Sequence, residues 1–191
     1  IENTYVKDDN VVLIVAPRSG DVFTRETLAA IEELTAALWQ VPYSNRVDSI
    51  TNFQYTEAED DGLIVRDMVT DAHFLSDDAL ARARAAVLAE PALIKRLISE
   101  QGHVTGINVT VQMSIDERTQ ATQIIVEFVR NKIAEFNQRY PEIDIYLSGM
   151  VMMDHAFFEV AMDDSTKLVP ISFVLMMGLI ALLVGGFFGT L

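Results

Sequence analysis

Apolar and polar positions change period several times along the chain, and each change marks the limit of an element. NVVLIVAP, from Asn10 to Pro17, is a continuous Val/Ile-rich run bounded by Asp8, Asp9 and Pro17, the pattern of a buried strand. RSGDVFT then makes a turn and places Thr24 as a helix N-cap. Leu28, Ile31, Leu34 or Thr35, and Leu38 recur at helical spacing. That spacing predicts an amphipathic helix from about Arg25 to Gln40, ended by Pro42. RVDSITNFQYT alternates imperfectly through Val47, Ser49, Phe53 and Tyr55, with Ile50 out of phase, and reads as a second strand. The first unit is therefore β-α-β.

EAEDDG interrupts this with an acidic turn, and LIVRDMV follows as another short strand. Ser76 is placed to cap a helix through DDALARARAAVLAE, whose first-turn aspartates suit the helix dipole and which Pro91 follows. LIKRLIS and HVTGINVTVQM flank EQG as a predicted hairpin, with Val109 and Val111 on one face. SIDE, Ser114 to Glu117, is a capping box opening a long helix with the stripe Ala121, Ile124, Ile125, Phe128, Ile133 and Phe136. A turn at Pro141 then leads to a strand with Ile143, Ile145 and Leu147 on one face. Setting aside residues 57–93 as an insertion with its own strand and helix leaves β-α-β twice over. The expected fold class is α+β: a ferredoxin-like split βαβ, two-layer sandwich with two helices on one face of an antiparallel sheet.

The pattern changes most at the end. GMVMMDHAFFEVAMDD continues as a helix with Met150, Met153, Phe157 and Val160 on one side. No charged side chain occurs from Leu168 to Leu191. At 1.5 Å per residue those 24 residues span about 36 Å, against roughly 30 Å of bilayer hydrocarbon. A buried helix of a soluble protein is usually shorter and keeps a polar stripe, so the run is read as a transmembrane helix. The organisation expected is residues 1–164 as a soluble domain and 165–191 as the membrane helix. Pro170 falls in the first turn of the apolar part, where a new helical segment could begin with a kink. Ala181, Gly185 and Gly189 form a small-residue stripe open to close helix packing, although Gly is also simply commoner in membrane helices. Asp163, Asp164 and Lys167 sit where the helix meets the bilayer surface. They read either as interfacial anchors, with the Lys stem snorkelling, or as contacts to a moving neighbour or substrate. They are too shallow for a proton relay inside the span.

Composition narrows the function classes. With 28 Asp+Glu against 14 Lys+Arg, the net charge of −14 argues against nucleic acid and against docking on anionic lipid through a basic face. The absence of cysteine removes disulfides, thiolate metal sites and Cys nucleophiles. His73, His103 and His155 lack ligand spacing and read as solvated surface residues; Asp154 and His155, being adjacent, point about 100° apart on a helix. EAEDD lacks the alternating acids of a calcium loop, and no GxSxG, Walker or GxGxxG sequence occurs. No catalytic, cofactor-binding or metal-binding residue is assigned, and the chain is not expected to be an enzyme. It begins at Ile1 and stops inside the apolar run, and so reads as part of a longer, polytopic protein.

Two stretches carry a family resemblance. One runs NVVLIVAPRSGDVFTRETLAAIEELTAALWQVPYSNRVDSITNFQYTEAEDDGLIVRDMV; the other is YLSGMVMMDHAFFEVAMDDSTKLVPISFVLMM, a strand, Gly, helix, Asp and LVP in that order. Together they resemble the N-terminal extracytoplasmic porter loop and second span of RND-superfamily exporters of the MMPL/Patched-like branch. The resemblance implies a proton-driven exporter of lipids or other hydrophobic substrates in a bacterial inner membrane, with this domain in the periplasm. Its partners would be further transmembrane helices and a second porter domain of the same protein, and a homo-oligomer is compatible with it. The family's proton-relay carboxylates lie in spans outside this sequence, so no residue here inherits that role. The alternative is an extracytoplasmic ligand-binding or sensor domain joined to a signalling transmembrane helix.

Overall fold

The computed structural model describes residues 8–59, 62–114 and 116–188. Contacts divide the chain after Met152 into an α/β unit and a second unit that holds the apolar helix. In the first, β1 (Asp8–Pro17), β2 (Ser44–Asp48), β5 (Thr105–Gln112) and β6 (Ile143–Ser148) form one antiparallel sheet in the order β2-β5-β1-β6. β1 is central, pairing Leu13 with Ile107 of β5 on one side and Leu147 of β6 on the other. Two-residue alternation sorts its side chains: Val11, Leu13 and Val15 are fully buried, while Val12 and Ile14 face the other way and are half-buried.

The buried face is covered by α1 (Arg25–Leu38) and α3 (Arg118–Arg139). Leu28, Ile31, Leu34 and Leu38 of α1 meet Ile125, Val129, Ile133 and Phe136 of α3 and the sheet in one core. Thr24 is the N-cap, its hydroxyl accepting from the Thr27 N–H at 3.1 Å. α1 ends two residues before Gln40, with Trp39 as C-cap and tight turns to Ala37 and Leu38 carbonyls closing it. In α3 the stripe shifts: Val126 and Val129 are buried, whereas Ile124 is 40 % exposed. The SIDE capping box does not form, because Ser114 Oγ meets the Glu117 carboxylate at 3.3 Å and Glu117, as N-cap, makes no side-chain cap bond. Asp9 lies under the α3 N-terminus, 2 % exposed and 3.0 Å from the Arg118 guanidinium.

Two other expectations are corrected. The long second strand is two strands, because residues 49–52 fold into a turn held by side chains. Asn52 Oδ1 accepts from the Ser49 N–H at 2.8 Å, and Asn52 Nδ2 donates to the Val47 carbonyl at 2.7 Å. This turn buries Ile50, which explains its break from alternation. LIKRLIS is not a strand. Lys95 takes φ 63°, its N–H donates to the Ile98 carbonyl at 2.8 Å, and only Ile98 bridges to Thr105.

Between β2 and β5 the chain makes a two-stranded sheet, β3 (Gln54–Glu59) with β4 (Gly62–Asp67), a short 3-10 turn Ala72–Phe74, and α2 (Asp77–Ala89). Ser76 caps α2 by accepting from the Ala79 N–H. Ion pairs fasten this segment to the loop before α1: Arg84 donates to both Asp21 oxygens at 3.0 Å and lies over the Phe23 ring, and Arg25 pairs with Asp77 at 2.5 Å. Glu32 of α1 accepts from the Ala72 N–H at 2.8 Å.

β6 leads through Gly149 into α4 (Met150–Phe188). Gly149 has φ 104°, and an added Cβ would stand 2.6 Å from the Asn10 carbonyl oxygen. The Asn10 side chain completes this corner: Oδ1 accepts from the Met150 N–H at 3.1 Å, and Nδ2 donates to Asn108 Oδ1 at 2.9 Å. The first N–H of α4 is thereby tied to both central strands.

Candidate functional sites: the apolar helix and the open sheet face

α4 is a single helix of 39 residues, about 58 Å long. It runs unbroken through Pro170, so the expected new start at the proline does not occur. Pro170 cannot donate, which leaves the Thr166 carbonyl without its usual i+4 partner. The neighbouring hydroxyls are satisfied within the helix: Thr166 Oγ1 donates to the Met162 carbonyl at 2.9 Å and Ser172 Oγ to the Leu168 carbonyl at 2.8 Å. Such internal bonds suit a helix surface without water.

Leu168, Ile171, Phe173, Val174, Leu175 and Leu179 are all about half exposed or more, which puts apolar side chains on every side of the helix. The apolar segment has a mean hydropathy of 2.1 and none of it is buried, so this helix is long and apolar enough to cross a membrane. Among the described residues it is the one helix that is.

At the polar end of that segment Lys167 Nζ stands 2.5 Å from Asp163 Oδ1, one helical turn away. The acid precedes the base along the helix, the favourable order with respect to the dipole. Asp164 is exposed beside the pair. Ala181 is exposed, Gly185 lies within α4, and Gly189 lies outside the described residues. Gly178 sits seven residues before Gly185 with open space where a Cβ would go, a small-residue position that the i+4 stripe alone does not include. His155 is not a solvated residue: its side chain is only 12 % exposed, with Nδ1 3.4 Å from Glu159. His73 and His103 are exposed. Among the described residues no cluster of acids and histidines could hold a metal ion, and the side chains of the acidic run at 57–61 lie outside them.

The second candidate is on the sheet face away from α1 and α3. A groove of about 600 Å³ opens there between the strands and the turn segment 92–97. Val12, Phe53 and Leu97 give it an apolar share of its lining. Asn108, Arg46 and Arg96 line the rest together with Asp48, which accepts from Arg46 at 2.7 Å. Local backbone sets Arg96 in place. It follows the left-handed Lys95, and the Leu97 carbonyl after it accepts twice, from the Gly106 N–H at 2.7 Å and from Thr105 Oγ1 at 2.7 Å. Sequence spacing gave no sign of this groove, because Arg46 and Arg96 come from elements on either side of the insertion.

Arg18 donates to Asp144 at 2.9 Å, and this bond holds the Asp144 carboxyl below its ordinary range. Burial, then the hydrogen bond to Glu33 at 2.9 Å, pushes the Tyr140 phenol up. Both are pairings between fold elements: the first joins the turn after β1 to β6, and the second joins the end of α3 to α1. Compared with protein-family models and with curated protein sequences, the chain matches none.

Proposed function

We propose that this chain is the periplasmic porter domain and following transmembrane helix of a proton-driven RND-type exporter, of the MMPL/Patched-like branch, that carries lipids or other hydrophobic substrates. The α/β unit is then a ferredoxin-like split βαβ sandwich: taken without β3, β4 and α2, its elements run β-α-β-β-α-β with the sheet order β2-β5-β1-β6. The observation that carries the reading is the direct passage from the last strand of that sheet into a helix whose apolar segment is not buried. Such a helix gains by exchanging water for lipid at about 25 cal/mol per Å² of apolar surface.

The chain's lack of cysteine makes topology directly testable. Ser19→Cys on the exposed turn after β1 should react with an impermeant maleimide added outside intact bacterial cells stripped of outer membrane, and Leu179→Cys in α4 should not. Labelling of Ser19→Cys only after lysis would place the domain on the wrong side. Removing residues 8–149 from the full protein should cause a hydrophobic substrate to accumulate in the cell; intact export would sink the transport reading. The groove on the open sheet face favours the second reading, a ligand-binding domain joined to a signalling helix. Unimpaired export with loss of a ligand response would select it.

A further inference from the structure

The groove on the open sheet face combines three independent features. First, it is basic in an acidic protein. Arg46 and Arg96 face Asp48 alone among its lining acids, which leaves one positive charge in excess on a chain of net charge −14. Asp48 engages Arg46, and the neighbouring Lys95 is drawn off by Glu100 at 2.8 Å, whereas Arg96 has no acidic partner among the described residues. Second, the turn that carries Arg96 is fixed by the backbone at Lys95: a lysine in the left-handed region costs on the order of 1 kcal/mol and persists where surrounding bonds enforce it. Here those are the Lys95–Ile98 bond and the doubly accepting Leu97 carbonyl. Third, part of the lining is apolar, with Val12, Phe53 and Leu97 half-buried rather than sealed.

We infer that this groove binds an amphipathic monoanion, a carboxylate on an apolar body. The planar guanidinium of Arg96 matches a carboxylate through two parallel N–H···O bonds. A single surplus charge balances a monoanion; a phosphate monoester, nearer −2 at neutral pH, would be left half-compensated. At roughly 30 Å³ per non-hydrogen atom, the volume a water takes in the liquid, about 20 such atoms fill the space. The carboxylate therefore carries a body of up to about 17 further atoms, the size of a long acyl chain or a fused ring system, against Val12, Phe53 and Leu97. Asn10 also lines the groove, and its Oδ1 caps Met150, so an occupant touches the residue that ties the first turn of α4 to the sheet. The inference concerns the α/β unit alone and holds under either reading of the whole protein.

The test uses the full chain in nanodiscs of zwitterionic lipid, with octanoate as the probe, octylammonium as the cationic control, and saturation-transfer NMR as the readout. Octanoate should bind saturably, with Phe53 protons transferring to its chain, and octylammonium should not. Arg96→Gln should weaken binding about tenfold or more, as loss of a charge-assisted pair does. Arg96→Lys should fall between, and Arg139→Gln on the helical side should change nothing. Because Arg96 is exposed, these variants keep their unfolding midpoints, which urea titration checks. Equal binding of the cation, unchanged binding by Arg96→Gln, or no saturation at millimolar octanoate would each overturn the assignment.

Discussion

Replacing Gly149 by alanine probes the corner where β6 becomes α4. Two separate costs arise there. At φ 104° an L-residue is strained by roughly 1–3 kcal/mol. The new Cβ would also stand 2.6 Å from the Asn10 oxygen, 3.0 Å from the Val12 nitrogen and 3.1 Å from the Asn10 carbonyl carbon. All three are backbone atoms of the central strand, and moving them costs about 1–3 kcal/mol more, as overpacking does. The shift also lengthens the Asn10–Met150 bond, worth about 1 kcal/mol. Relief of one term relieves part of another, so the expected loss is about 3–5 kcal/mol. Trp39, the only tryptophan, reports it, because it caps α1 and is half exposed inside the α/β unit. With a urea slope of about 2 kcal/mol per M, its fluorescence midpoint should fall by about 1.5–2.5 M. Gly20→Ala is the internal control: φ is 74°, but no atom lies within 4 Å, so only the conformational cost of about 1–2 kcal/mol applies. Equal shifts in the two variants would refute the close-approach reasoning.

Thr24→Ala should lower stability by about 1 kcal/mol through loss of the α1 cap, again read from Trp39 in urea; no change would mean that Thr27 or water replaces it. Arg118→Met takes the guanidinium from the nearly fully buried Asp9 and should cost about 3 kcal/mol; a loss below about 1 kcal/mol would show that Asp9's other contacts suffice. Tyr140 should ionise above the usual tyrosine range, followed by ultraviolet absorbance, and Glu33→Gln should bring it part of the way back, since burial remains the larger cause. Its raised folded value gives stability that is present below about pH 10 and lost as pH rises through that value, so Tyr140→Phe should flatten the alkaline limb of the stability curve. Asp144, lowered by Arg18, works the other way: its contribution is present above about pH 4 and lost as pH falls, and Asp144→Asn should abolish that acid-side slope.

Legibility in the sequence followed the range of the forces involved. Thr24 and Ser76 were readable as caps because capping acts within one turn, and β1 and α1 because their apolar periods are strong. The segment 94–99 misled for the opposite reason. A short apolar run does not distinguish strand from turn, and the decision lay in Lys95 adopting a left-handed conformation to reach Ile98. The break between β2 and β3 likewise rests on the Asn52 side chain satisfying Ser49 and Val47, a bonding choice that composition leaves open. At the start of the apolar run, sequence position singled out Asp163, Asp164 and Lys167, but the ion pair between Asp163 and Lys167 became visible only in the structure. The groove was not legible, because it exists only once the sheet order brings Arg46 and Arg96 to the same face.

The two edges of the main sheet are unequal as templates. β2 is five residues long and its register slips between Ser44 and Arg46, so its outer row of N–H and C=O groups is out of step with any straight strand. β6 carries six residues in regular register with β1 and no partner strand on its outer side among the described residues. Of these two edges, the uninterrupted ladder for an extended segment is along β6. Charge there is sparse, since Asp144 is already engaged by Arg18. The more regular open edge of the main sheet is thus the same strand that delivers the chain to α4.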